Sequence, residues 1–209
     1  FDMFRHARGP MFDFFQRMGR DMRDCGEATP LAALQSQISD FKSQILLVHA
    51  NYLDPSDLDL LKSKIQKPVL SLSKDPKSKI SVIHCPRSHA YFSRKRFLCE
   101  ELLSAGVNMC LGTDSLASNN DLSMFGEMNQ LAKTHPQVAP RQIVRRATIN
   151  GARALGMERE WLAWQDWIAI PSTVSNVEGV WRAITSFTAK PLFVMINGQV
   201  VVASSKPKT

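Results

Sequence analysis

Three short apolar runs, each closed by a polar residue, organise the middle of the chain. Ile45-Leu46-Leu47-Val48 ends at His49, Ile80-Ser81-Val82-Ile83 ends at His84, and Val107-Asn108-Met109-Cys110-Leu111 leads through Gly112-Thr113 to Asp114. The first two lack a clean alternation of apolar and polar positions and are β-rich, the pattern of strands buried on both faces of a parallel sheet. Helical patterns fill the intervals, over residues 55–65, 92–105, 121–133 and 140–155. Pro55 and Pro140 stand at or near first helical positions, and Gly106 stands where a helix C-terminal glycine belongs. Strand alternating with helix predicts βα units in an α/β fold. Such units build either an open doubly wound sheet or a (β/α) barrel, and both gather chemistry at the carboxyl ends of their strands. His49, His84 and Asp114 all lie at that end.

The flanks read differently. Residues 1–40 are punctuated by Gly9-Pro10, Gly19, Gly26 and Thr29-Pro30, with Phe and Met clustered between them, and predict one or two short lead-in helices. Beyond Leu155 come three tryptophans at a spacing of three (Trp161, Trp164, Trp167), which predict a buried helical stripe, then a strand-like Ile168-Ala169-Ile170 and a helical stretch over 177–185. Asn197-Gly198 between two β-rich runs predicts a hairpin. The expected division is a larger unit over 1–157 and a small β unit over 158–209. Lys62-Ser63-Lys64-Ile65 recurs as Lys77-Ser78-Lys79-Ile80, which suggests an exposed insertion over 66–79. A chance match in a Lys-rich loop is the alternative.

Charge changes this picture little. Lys and Arg number 26 against 19 Asp and Glu, a formal +7, which invites a nucleic-acid partner. The basic residues are scattered, however, and the densest group, residues 62–79, holds no aromatic ring on which a base could stack, so nucleic acid is not expected as a partner. No apolar run reaches the about 18 residues a bilayer requires, and Phe1-Asp2-Met3-Phe4-Arg5 carries charges where a signal peptide would need its apolar stretch. A cytoplasmic protein without a membrane partner is expected. The four cysteines, Cys25, Cys85, Cys99 and Cys110, show no C-x-x-C spacing and are expected as free thiols.

Two histidines and an aspartate at neighbouring strand ends make a converging polar set. Metal hydrolases need such a set, because a divalent ion bound by imidazole and carboxylate acidifies its water and a nearby carboxylate takes the proton. The alternative is that both histidines are satisfied within the fold and Asp114 caps a turn.

The string from Ile83 through His84-Cys85-Pro86-Arg87-Ser88-His89 to Phe92, then Ala105-Gly106-Val107, Leu111-Gly112-Thr113-Asp114-Ser115 and Ala147-Thr148-Ile149-Asn150-Gly151-Ala152-Arg153-Ala154-Leu155-Gly156, resembles the amidohydrolase superfamily. Within it the chain is similar to the branch of cytosine, guanine, S-adenosylhomocysteine and aminofutalosine deaminases and triazine chlorohydrolases. The resemblance implies the carboxyl-terminal part of a TIM-like (β/α)8 barrel with a small flanking β element. It implies a hydrolase of non-peptide carbon–nitrogen bonds that deaminates a purine- or pyrimidine-like ring, with a divalent metal, zinc before iron. The substrate would be a small heterocyclic amine, and a homo-oligomer is left open.

Roles follow by position. Asp114 matches the aspartate that touches the metal and accepts the water's proton, and His49 the histidine that contacts the metal-bound water or polarises the substrate. His84, Arg87, Ser88 and His89 match the segment that shapes the substrate pocket, and Ser115 stands where leaving-group contacts are made. Arg87 offers either a bidentate grip on a substrate oxyanion or a surface pair with an acid. The family's His-x-His pair and a further histidine ligand do not occur in this sequence. The chain is therefore expected to be a fragment of a longer enzyme, binding metal weakly and turning over little alone. Chlorohydrolysis of a triazine-like ring and a non-catalytic remnant or scaffold are the other readings. His6 and His135 are expected to be exposed, and Cys85 and Cys110 to pack as small apolar residues.

Overall fold

The computed structural model describes residues 45–51, 53, 55–64, 80–94, 96–157 and 166–203. The expected lead-in over 1–40, the insertion over 66–79, Cys25, His6, Trp161 and Trp164 lie outside the described residues.

The three apolar runs form strands β1 (Ile45–Val48), β2 (Ile80–His84) and β3 (Asn108–Leu111). They make a parallel sheet in the order β1-β2-β3, with Ile45 opposite Ile80 and His84 opposite Leu111. Helix α1 (Pro55–Lys64) follows β1. Buried Val82, Met109 and Leu111 of the sheet join Leu61, Phe97, Leu102, Leu131 and Ile143 in one apolar core. The expectation of strands buried on both faces holds for β2 and not for β1, where Leu46 and Val48 are exposed. Ile45 and Leu47, on the opposite face of β1, pack against the core, so one face of the strand is covered and the other is not.

Of two expected helices one is shortened and one is divided. The pattern over 92–105 shortens to α3 (Cys99–Ser104), and a helix that the apolar pattern does not predict, α2 (Pro86–Tyr91), starts directly after β2 with Pro86 in its first turn. Ser93 takes a left-handed φ of 48°, which ends the turn after α2 and lets Phe97 reach the core. The pattern over 140–155 breaks at Thr148 (φ −132°, ψ −93°) into α5 (Pro140–Ala147) and α6 (Ile149–Ala154). The side-chain amide of Asn150 there donates to the Met109 carbonyl at 2.8 Å and pins α6 to β3. Between them, α4 (Met124–Thr134) is capped by Ser123, whose hydroxyl accepts from Gly126 N–H.

A second sheet, antiparallel in the order β4-β5-β6, comprises β4 (Trp167–Ala169), β5 (Phe193–Ile196) and β6 (Gln199–Ala203). Helix α7 (Val177–Ser186) precedes β5 and packs on α4 and α5. The expected hairpin is present, with Asn197 and Gly198 at φ 51° and 75° between β5 and β6. Trp167, expected in a buried helical stripe, lies instead in β4, where it pairs along the sheet with Met195 and all three strand residues are exposed. The described chain is thus α/β.

Candidate active site at the carboxyl ends of the parallel strands

Both histidine-bearing strands and the Asp114 strand end on the same side of the sheet, and the backbone there is unusual. His49, Ala50 and Asp114 take left-handed φ values of 68°, 46° and 58°, a conformation that is costly for non-glycine residues and clusters at functional sites. The turn at His49 is fixed by its N–H, which donates to the Ile83 carbonyl at 2.8 Å. These kinks carry His49 and Asp114 off the ends of their strands, and Nε2 of His49 lies 3.7 Å from Oδ2 of Asp114.

Oδ2 of Asp114 is the focus of the site. It accepts the hydroxyl of Ser88, on α2, at 2.6 Å and that of Ser118 at 3.0 Å. These bonds, the Ser88 hydroxyl above all, hold the Asp114 pKa below the ordinary carboxylate range, with a smaller contribution from His49 and against a desolvation penalty. Asp114 is therefore ionised at neutral pH while only partly shielded, its side chain 27% accessible. An ionised carboxylate with one oxygen fixed by two hydroxyls is suited to accept a proton from a molecule that docks against it.

The remaining expected site residues divide. His89 stays at the site's edge, its Nδ1 2.9 Å from Oδ1 of Asn51 in the loop after β1. Ser115 is exposed beside Asp114, and its hydroxyl accepts the Ala117 N–H. Arg87 directs its guanidinium across the first turn of α4, where a Cβ on Gly126 would fall 2.6 Å from its Nη1, and pairs with Asp121. His84 is buried, with its ring stacked on Phe97 at a centroid distance of 3.8 Å and edge-on to His89 at 5.3 Å. Burial, with His89, His135 and His49 nearby, pushes the His84 pKa down to about 3, so it is a neutral ring in the wall of the site.

Cys85 and Cys110 are buried thiols, with burial as the main cause pushing their pKa values up to about 12 and about 11. His135, expected at the surface, is instead buried. It closes the carboxyl end of α4, with Nδ1 3.0 Å from the Thr134 hydroxyl and Nε2 3.4 Å from the Phe97 carbonyl. A histidine in a helix C-terminal turn reads as solvated unless the carbonyl it will meet, 38 residues away, is known.

Sequence reasoning missed Ser118, Asn119 and Glu127. Glu127 did leave a signal, since it shares the helical stripe of Met124, Met128 and Leu131 and an acid there must find donors inside the fold.

Among the described residues no group of three or more His, Cys, Asp or Glu side chains is arranged to hold a metal ion. Asp114 and His49 alone fall short of the three protein ligands usual for a catalytic zinc, so the described residues do not by themselves fit a metal centre.

Comparison with known proteins adds a frame to this geometry. The model of the Amidohydrolase family matches residues 20–160. A 5-methylthioadenosine/S-adenosylhomocysteine deaminase of Moorella thermoacetica is 35% identical over 161 residues, 74% of this chain and 32% of the relative. A 5'-deoxyadenosine deaminase of Methanosarcina mazei is 34% identical over 128 residues, 58% of this chain and 26% of its own length. The chain thus spans about a third or less of the curated relatives it matches. Among solved structures, an adenosine deaminase from Xanthomonas campestris with bound zinc superposes with a TM-score of 0.65 at 22% identity, over 88% of this chain and 43% of that one.

Proposed function

The chain belongs to the amidohydrolase family, and from that premise we propose that it is the carboxyl-terminal portion of a metal-dependent deaminase acting on a purine-like ring. The observation that carries the reading is the Asp114 carboxylate, held by Ser88 and Ser118 and facing His49 at 3.7 Å. Asp114 takes a proton from the attacking water and returns it to the leaving amine, which departs as ammonia. His49 steadies the charge that develops on the ring as water adds. Ser88 and Ser118 keep the accepting oxygen in place, and His84, neutral and buried, walls the site without exchanging protons.

A divalent metal, zinc before iron, would supply an acidified water. Asp114 is the ligand this chain would offer, with the others from outside the described residues. Residues 1–157 would belong to a TIM-like barrel and 158–209 to a small β domain beside it. A cytoplasmic protein with a heterocyclic amine as substrate completes the reading, and a homo-oligomer is compatible with it. Curated relatives at a third identity are named as deaminases of adenosine-like molecules, which favours carbon–nitrogen over carbon–halogen hydrolysis.

The test is elemental analysis and ammonia release. The 209-residue chain is compared with the product of any longer reading frame that contains it, using 5'-substituted adenosines as substrates. Zinc or iron near one equivalent together with ammonia release in the longer product is expected, and both are lost on Asp114→Asn. Metal-free, inactive protein in both forms would overturn the reading and leave a scaffold.

A further inference from the structure

Glu127 is an acid that no step of the proposed reaction uses. It is fully buried on α4 beside the apolar Met128 and Leu131, where a carboxyl group is costly unless its oxygens are bonded. Oε2 accepts the backbone N–H of Arg87 at 2.9 Å, and Oε1 accepts the side-chain amide of Asn119 at 2.7 Å. The same amide nitrogen donates to the Thr113 carbonyl at 2.6 Å. One side chain on α4 therefore ties the start of α2 to the loop after β3. Those two segments carry Ser88 and Asp114, and the 2.6 Å bond between them closes the ring.

We propose that Glu127 is a positioning residue that fixes the separation of α2 from the loop after β3 and so seats the Ser88 hydroxyl on Asp114. Its consequence for turnover rests on the deaminase reading, whereas the clamp itself does not. Glu127→Gln preserves size but replaces one accepting oxygen with an NH2 group that meets a donor head-on, so one arm of the clamp must open. With α2 free to drift, Ser88 leaves Asp114 even though neither residue has been changed.

The first arm of the test uses the isotope-labelled 209-residue chain and nuclear magnetic resonance. Glu127→Gln should speed hydrogen exchange at the Arg87 amide by about tenfold. It should also move the Ser88 and Asp114 amide signals in the direction that Ser88→Ala moves Asp114. Asn119→Ala, which opens the other arm and leaves the α4 core intact, should do the same if Glu127→Gln fails to fold. Changes confined to residues 87, 119 and 127 would overturn the proposal. In the second arm, on the longer metal-loaded protein, Glu127→Gln should lower kcat by about tenfold with KM within about twofold. Combined with Ser88→Ala, it should cost no more than Ser88→Ala alone. Multiplying effects would overturn it, since a merely structural acid would act independently of Ser88. Wild-type protein without deaminase activity would sink the functional reading, and the first arm would still decide the clamp.

Discussion

Ser88 and His84 lie four residues apart and show what burial does to a side chain that has a partner and to one that lacks it. The Ser88 hydroxyl is the largest cause of the lowered Asp114 pKa. Ser88→Ala should raise that pKa and lower turnover of the metal-loaded enzyme by about tenfold, at a stability cost of about 1 kcal/mol, measured by pH–rate profile and urea titration. His84 has a buried Nδ1 without a hydrogen-bond partner and a pKa of about 3 in the fold against 6.5 as a free side chain. The unfolded chain therefore binds a proton there that the folded chain refuses, and stability should fall as pH drops from about 6.5 towards about 3. Thermal melts across that window should show a shallower slope in His84→Gln; an unchanged slope would refute the assignment. At this scale His49 and Asp114 were legible because strand ends are local and collect chemistry, whereas Ser88, on α2, was singled out only by the family resemblance. Ser118, Glu127 and the buried state of His135 were not, because their meaning lies in contacts that only the folded chain creates.

Short elements decide how those residues are presented, and two glycines mark where they touch. A Cβ on Gly112 would lie 3.0 Å from Cγ2 of Ile83, near the end of β2, and 3.3 Å from Sγ of buried Cys85, just beyond it. Gly112→Ala should cost roughly 1–3 kcal/mol by overpacking and displace the Asp114 loop. On Gly126 the nearest atom is the far end of the flexible Arg87 side chain. Gly126→Ala should therefore leave stability nearly unchanged, since the helix gains about 0.5–1 kcal/mol from losing a glycine, while it breaks the Arg87–Asp121 pair. Differential scanning calorimetry on the two variants separates the cases, and equal losses would contradict the contrast. The strands, α1, α4, α7 and the hairpin were legible from period and turn chemistry. The shortening of 92–105 and the division of 140–155 were not, because Ser93 and Thr148 leave the helical region without any residue type that demands it, and the inward pull on Phe97 and Asn150 comes from distant partners.

For the molecule as a whole, the α/β class was readable and the extent of cover on β1 was not, since the pattern of one strand cannot say what packs over each of its faces. Leu46 and Val48 are exposed on a strand paired on one side among the described residues. Such an edge invites a second strand. The 209-residue chain should self-associate with rising concentration in sedimentation velocity, and Leu46→Lys should weaken this; a strict monomer at all concentrations would argue that the edge is covered. The strand order has a further consequence. Because β1, β2 and β3 are neighbours both in sequence and in space, no strand from elsewhere is interleaved among them. In the closed barrel proposed above, a longer protein severed just before Ile45 would be divided along two seams, one at β1 and one at β3. Its two pieces, made as separate polypeptides and mixed, should find each other without any covalent link, and recovery of activity on mixing would make this segment one part of a split enzyme.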